Sequence, residues 1–392
     1  MKNTFPESSG RTAKMHGPDA SGENSLPSSE AFSAPDRKDY IQAQKASHGR
    51  KIFGVFPGHY PRELLWSFDI LPVEIWDPPI ETSRADAHLQ SYICPVAKRG
   101  LELILDSRAR GLDGILFPHL CDTLQNLASL TAHYLQPDLP VYFFYTPKST
   151  CPAPARRYYI QQTRLLAERL AKRFGPLDPA QWAARSAQAL ELDRALEALY
   201  ALRAGGGLVC SNAEFYSFVR QAEYLHPDDF LPRIERFRAV CKGEATGGKR
   251  VLLSCILSNP PEILEALDDL GVRVADDDLL NAGRRIPAHA PRSADPWERA
   301  AERFFALPPC STGSSPLKQR LERLAAMARS ASAGGVIFWT VTFCEPEAFD
   351  LPELRSGLKR LGLPSLVIET GLNSGLSGQT ATRLEAFLEM LP

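Results

Sequence analysis

The chain carries almost no net charge: 45 Lys and Arg stand against 46 Asp and Glu over 392 residues, leaving −1. A protein living off nucleic-acid phosphates needs a basic surplus or stripe, so that class is disfavoured. The same balance gives an anionic membrane surface nothing to attract. No stretch approaches the roughly 18 consecutive apolar residues of a membrane span. None of the eight cysteines stands in C-x-x-C spacing with another, which excludes a local zinc knuckle and a ferredoxin-type ligand run. Residues 1–39 lack the apolar core of a secretory signal, so the expected location is the cytoplasm. There, cysteines are thiols or metal ligands rather than disulfides.

What is present is an ordinary globular composition, 44% hydrophobic and 23% charged. The length predicts two to three domains at roughly 150 residues each. The first 35 residues hold seven Ser, four Pro and three Gly and no apolar cluster. Such a stretch buries too little surface to offset its chain entropy, so residues 1–45 are expected to be a disordered tail. Apolar runs at 51–56, 114–118 and 141–145 read as buried strands, with helical stretches near 83–110 and 122–135. From 156 to 203 leucines recur at helical spacing and the segment is broken at Gly175-Pro176, which predicts two amphipathic helices. Strands resume at 251–254, 272–275, 336–339 and 365–368, and a last helix covers 380–391. Continuous apolar strands alternating with helices imply mostly parallel sheets covered on both faces. The expected fold is therefore α/β. Two doubly wound units, 46–150 and 246–392, are joined by a helical segment at 151–245.

Three motifs look like ligand sites. Residues 243–250 nearly spell a phosphate loop, but Arg250 stands where Ser or Thr is needed and the stretch precedes a strand instead of following one. Nucleotide binding is not expected there. Residues 371–378, with Gly371, Gly375 and Gly378, follow a strand and open the last helix, where backbone N–H groups can face an anion. The spacing is not that of a dinucleotide fingerprint, and a flexible turn is the plainer reading. Asp276, Asp277 and Asp278 could hold a metal, although a charge run after a strand reads first as a solvated end.

Three cysteines have a better context. Cys94 begins a helical stretch in Tyr-Ile-Cys-Pro, where a helix N-terminus favours a thiolate. Cys121 and Cys344 each fall just beyond the carboxyl end of an apolar strand, where open α/β sheets place their sites. Spacing leaves both a cluster assembled from distant loops and three unrelated thiols open. Cys151, Cys210, Cys241, Cys255 and Cys310 read as small buried hydrophobes.

At these residues the sequence resembles the 2-hydroxyacyl-CoA dehydratase / benzoyl-CoA reductase family, in the manner of a dehydratase D-component. The resemblance is carried by residues 54–72, by Tyr92-Ile-Cys94-Pro and by residues 113–123 around Cys121. It continues through Asp276 to Arg284, Pro309-Cys310, residues 335–346 around Cys344, 364–368 and 378–389, and so covers roughly residues 50–392. It implies that Cys94, Cys121 and Cys344 are the thiolates of a [4Fe-4S] cluster whose fourth iron position is open. It further implies a low-potential electron delivered by a separate ATP-hydrolysing activator to an acyl-CoA thioester, giving a ketyl radical and then dehydration or ring reduction. A related second subunit, or a second copy of the chain, is the implied partner. His119 and Thr342, beside ligands, are candidate proton-handling groups. Residues Gly371, Gly375, Gly378 and Arg383 are candidates for the CoA phosphates. The alternatives are an electron-transfer or scaffold subunit without a substrate of its own, a double-cubane reductase of small molecules, and a cluster-free relative that keeps only the fold.

Overall fold

The computed structural model describes residues 33–106, 111–148, 152–245, 247–372 and 375–391. Among the described residues, eight strands form two four-stranded sheets, all parallel. The first contains β1 (Lys51–Val55), β2 (Ile70–Glu74), β3 (Gly114–Pro118) and β4 (Val141–Phe144) in the order β2-β1-β3-β4. The second contains β5 (Lys249–Cys255), β6 (Val272–Leu279), β7 (Gly335–Val341) and β8 (Ser365–Thr370) in the order β6-β5-β7-β8. Both sheets are doubly wound, as expected. Each reverses its strand order between its two central strands, β1 and β3 in one, β5 and β7 in the other.

The described helices are, in chain order, α1 (Arg37–His48), α2 (Arg62–Trp66), α3 (Pro95–Leu105), α4 (Asp122–Ser129), α5 (Pro152–Phe174), α6 (Pro179–Ala204), α7 (Asn212–Val219), α8 (Pro227–Cys241), α9 (Glu262–Asp269), α10 (Pro296–Phe305), α11 (Leu317–Ser330), α12 (Glu345–Arg360) and α13 (Gly378–Glu389). They cover both faces of each sheet, which is why β1 and β3 are apolar along almost their whole length. One apolar core joins the two sheets, running from Ile52 and Ile115 to Val251 and Ile337. The outer face of the first sheet is closed by α2, α5 and α10, with Tyr159 stacked on Phe304 at 4.5 Å. So α10, from the C-terminal part of the chain, packs on the N-terminal sheet. The outer face of the second sheet is closed by α11 and α12.

Strand β2 was not legible in the apolar pattern, because Pro72 interrupts it. Its place at the sheet edge explains the tolerance: an edge strand does not need every N–H in a ladder. The acidic run is a second correction. Strand β6 continues through Asp276, Asp277 and Asp278, and the latter two are buried instead of solvated. Asp277 accepts N–H bonds from Gly283 (2.8 Å) and Leu279 (3.1 Å) and the Tyr216 hydroxyl at 2.9 Å. Asp278 pairs with Arg284 at 2.8 Å. Internal donors replace water, so the charges do not need solvent.

The phosphate-loop look-alike has both its cations occupied. Lys249 Nζ donates to the carbonyls of Leu388 (2.6 Å) and Leu391 (2.8 Å), and Arg250 donates to those of Ala331 (2.7 Å) and Ala204.

Of the expected disordered tail 1–45, residues 1–32 lie outside the described residues, and the end of it is instead part of the docked helix α1. Asp36 caps its start and Gly49, at φ +65°, ends it. Its anchors are polar and aromatic, which is why no apolar cluster announced them. Arg37 pairs with Glu223 at 3.1 Å and lies over the Tyr224 ring. The Tyr40 hydroxyl donates to Asp229 at 2.6 Å and accepts the His226 N–H at 2.9 Å. Tyr40→Phe removes one charge-assisted bond and orphans a backbone donor, so it should cost about 1–3 kcal/mol of stability. An unchanged urea midpoint would mean that α1 is not fastened there.

Candidate functional site

Doubly wound sheets open a crevice beyond the strand carboxyl ends, at the point where strand order reverses. Here the two sheets point these crevices at each other. A narrow cavity lies between them, lined by residues that follow β1 (Pro57), β2 (Trp76), β3 (Leu120, Cys121), β5 (Ile256) and β7 (Phe343, Cys344). Cys94 completes the wall from the β2–β3 connection. Three cysteines far apart in the sequence thus share one mostly apolar cavity.

The local sequence explains their placement. Each is the N-cap of a helix: Cys94 of α3, Cys121 of α4 and Cys344 of α12. Pro95 and Pro346 sit in the first turns of α3 and α12, where a missing N–H costs nothing. Three positive helix ends therefore point at the thiols. Phe343, just before Cys344, holds φ +60°, a left-handed backbone that an aromatic residue adopts only under tertiary constraint.

Burial dominates the electrostatics. It pushes the Cys94 thiol up to about 11, against the opposing backbone amides of Val96 and Ala97. It raises Cys121 as well, against the amides of Leu124 and Thr123. Cys344 is raised furthest, by burial first and then by Cys94 and Cys255 beside it. The free chain therefore holds three protonated thiols, and a cation that binds them must displace the protons. Among the described residues, no three His, Cys, Asp or Glu side chains gather closely enough to share a single metal ion.

Two cations stitch the halves together around the cavity. Lys148 Nζ donates to the carbonyls of Leu120 at 2.8 Å and Thr312 at 2.5 Å, both cavity residues from opposite halves. Arg285 reaches across to Glu74 at 2.5 Å, and Glu74 in turn accepts the Trp76 indole N–H at 2.7 Å. Behind Cys344 lies a buried ion network. Glu347, in the first turn of α12, takes Arg284 at 2.6 Å, Arg320 at 2.9 Å and the Ser311 hydroxyl at 2.7 Å. Burial alone would raise the Glu347 carboxyl, but Arg284 and Arg320 outweigh it and hold it at about 2. Sequence reasoning missed Lys148, Trp76 and Glu347. The only hint was a charged residue just after Cys-Glu-Pro, indistinguishable from a solvated first turn.

The other expected site residues lie elsewhere. His119 directs its backbone N–H to the Phe144 carbonyl at 2.8 Å and sets its ring edge-on to Tyr145 at 5.6 Å. Thr342 bonds its N–H to the Thr370 carbonyl at 3.0 Å. Neither lines the thiol cavity. Nor do Gly371, Gly375, Gly378 or Arg383. Ser377 caps α13 by accepting the Thr380 N–H at 3.2 Å, and Arg383 donates to the Val367 carbonyl at 2.8 Å. Asn373 and Ser374 in that turn, and Cys151, lie outside the described residues.

Fold and site together define a class: a pair of doubly wound parallel α/β units with three thiols lining the cavity between their facing switch points. Residues 57–391 match the family described as 2-hydroxyglutaryl-CoA dehydratase, D-component, and the chain belongs to that family. It is 25% identical over 362 residues to the (R)-phenyllactyl-CoA dehydratase beta subunit of Clostridium sporogenes, covering 90% of this chain and 95% of that one. It is likewise 25% identical to the (R)-2-hydroxyglutaryl-CoA dehydratase subunit beta of Acidaminococcus fermentans, over 89% and 94% of the two chains. A benzoyl-CoA reductase subunit of Thauera aromatica is 24% identical, over 85% and 89%. No helix among the described residues is long and apolar enough to cross a membrane.

Proposed function

We propose that this chain is the iron–sulfur subunit of a cytoplasmic acyl-CoA dehydratase or aryl-CoA reductase. In this reading Cys94, Cys121 and Cys344 hold a [4Fe-4S] cluster. The reaction class is one in which an acyl-CoA thioester accepts a low-potential electron from an ATP-hydrolysing activator protein. A related subunit or a second copy completes the assembly, in keeping with the relatives named as beta subunits.

The observation that carries the reading is the arrival of three distant cysteines at one apolar cavity, each capping a helix. Three soft sulfur donors lining one apolar cavity are a donor set that suits an iron–sulfur cluster with one open iron. When bound, the cluster supplies single-electron transfer and, with three protein ligands, one iron open to an outside ligand. The chain's own residues do the rest. The helix N-termini favour the thiolate form of the ligands. Trp76, Leu120, Ile256 and Phe343 keep water from the sulfurs. Lys148 pins the wall next to Cys121 across both halves.

Arg383 and the α13 N-terminus are engaged internally, and this favours a second reading in which the CoA ester lies on the partner subunit and this chain relays the electron. Chain purified without oxygen and reconstituted with iron and sulfide should hold about four of each, as its cluster type requires. Stoichiometric zinc instead, or no retained iron, would overturn the proposal. An EPR signal changed by CoA esters on this chain alone would place substrate here, and a signal changed only with a partner subunit present would place it there.

A further inference from the structure

A second group of thiols lies outside the cavity, where the chain leaves α6. Residues 205–210 loop back and pair with the end of α8: Leu208 bridges Lys242, the Val209 N–H donates to the Cys241 carbonyl at 2.7 Å, and the Gly243 N–H donates to that of Gly207 at 3.1 Å. This pairing sets the Cys210 sulfur against the sulfur of Cys241, the last residue of α8. The two thiols are unlike. Cys210 is partly exposed, whereas Cys241 is 2% exposed. The buried guanidinium of Arg203 donates to Cys210 twice, to its carbonyl at 3.0 Å and to its sulfur at 3.4 Å. Arg203 is itself fixed by the Val274 carbonyl at 2.9 Å and by Asn212 at 2.5 Å, so it cannot swing away.

We infer that Cys210 and Cys241 form an oxidation site of their own, a reactive thiol with its resolving partner, which a peroxide closes to a disulfide. The Cys241 S–H and Arg203 both donate to the Cys210 sulfur, Arg273 adds positive charge nearby, and Glu214 is the carboxylate that opposes them. That is the environment of a reactive thiol. The Cys241 S–H, ahead of Arg203, brings the Cys210 thiol below its ordinary value in spite of burial. The same contact drives the Cys241 thiol upward, so of the two sulfurs Cys210 is the one its surroundings favour as the thiolate. The thiolate of Cys210 attacks the peroxide O–O bond, becomes the sulfenic acid and releases water, or an alcohol from an organic peroxide. The Cys241 sulfur then displaces the sulfenic hydroxyl, which leaves as water, and the S–S bond forms. Two electrons pass from the thiols to the peroxide, and the thiol protons end in the released water or alcohol.

The inference is independent of the cluster assignment, because neither thiol lines the cavity. The test is one equivalent of hydrogen peroxide added to the full chain purified without oxygen, followed by non-reducing peptide mapping. The expected product is a crosslink between the Cys210 and Cys241 peptides, formed before any modification of Cys94, Cys121 or Cys344. In the Cys241→Ser variant, dimedone should trap a sulfenic acid on Cys210. Oxidation that spares this pair while other cysteines react overturns the inference. So does dimedone labelling of Cys241 in Cys210→Ser at the rate seen for Cys210 in Cys241→Ser. The crosslink in the unmodified chain decides the matter by itself if either variant fails to fold.

Discussion

Cys94→Ser, Cys121→Ser and Cys344→Ser should each strip most of the iron from the reconstituted chain and bleach its broad visible absorbance. Cys210→Ser, Cys241→Ser and Cys255→Ser should leave both intact. Serine keeps the size of the side chain but offers a hydroxyl that stays protonated where a thiol ionises, and it is a hard donor where soft iron–sulfur chemistry wants sulfur. With three sulfur donors around the cavity, losing one removes a third of the protein's hold. Even indirect partners of metal ligands typically cost about 10–100-fold in affinity when changed, so a direct ligand should cost more. Cys255 makes the comparison stringent. It is buried, its thiol is pushed up to about 12 chiefly by burial, and it lies beside Cys344, yet it does not line the cavity. If Cys255→Ser bleaches the chain and Cys94→Ser does not, the ligand set is misassigned. If all six variants keep the same iron, there is no thiolate-held cluster in this cavity.

What could be read from the sequence follows from which physical signal each element leaves. Central parallel strands must be apolar on both faces, so β1, β3, β5 and β7 announced themselves. The edge strands β4, β6 and β8 kept an apolar run and were read too, but an edge strand or a docked helix needs none. Pro72 hid β2, and α1 is held by Arg37 and Tyr40 instead of a leucine stripe. The cysteines behaved the same way. Position after a strand end or at a helix start singled out Cys94, Cys121 and Cys344, because that is a local property. That they share one cavity is a property of two sheets facing each other, which no spacing encodes. Charges were the least legible. Asp277, Asp278, Arg284 and Glu347 look like surface residues in the sequence, but each is buried with its partners contributed from other segments.

That buried network yields the largest stability effect expected of a single substitution. Glu347→Gln should cost about 3–5 kcal/mol, because removing one member of a buried ion cluster leaves the others uncompensated. Arg284 and Arg320 would keep Asp278 and Asp350 as partners but lose the carboxylate that bridges them. Asp350→Asn is the contrast: its side chain is 26% exposed, so water can replace the lost charge and the cost should be near that of a surface pair, about 0–1 kcal/mol. The pH dependence supplies an independent reading. The folded Glu347 carboxyl sits at about 2, below the unfolded value, so its contribution is fully present above the unfolded pKa of about 4.3 and is lost as pH falls toward 2. The unmodified chain should therefore lose stability between about pH 4.5 and 2 more steeply than Glu347→Gln, whose group no longer titrates. Urea midpoints across that range measure both effects. Equal acid slopes with a large loss at neutral pH would mean that the glutamine merely packs badly. A small loss at neutral pH would mean that the two arginines find water, and that the ground behind Cys344 is not dry.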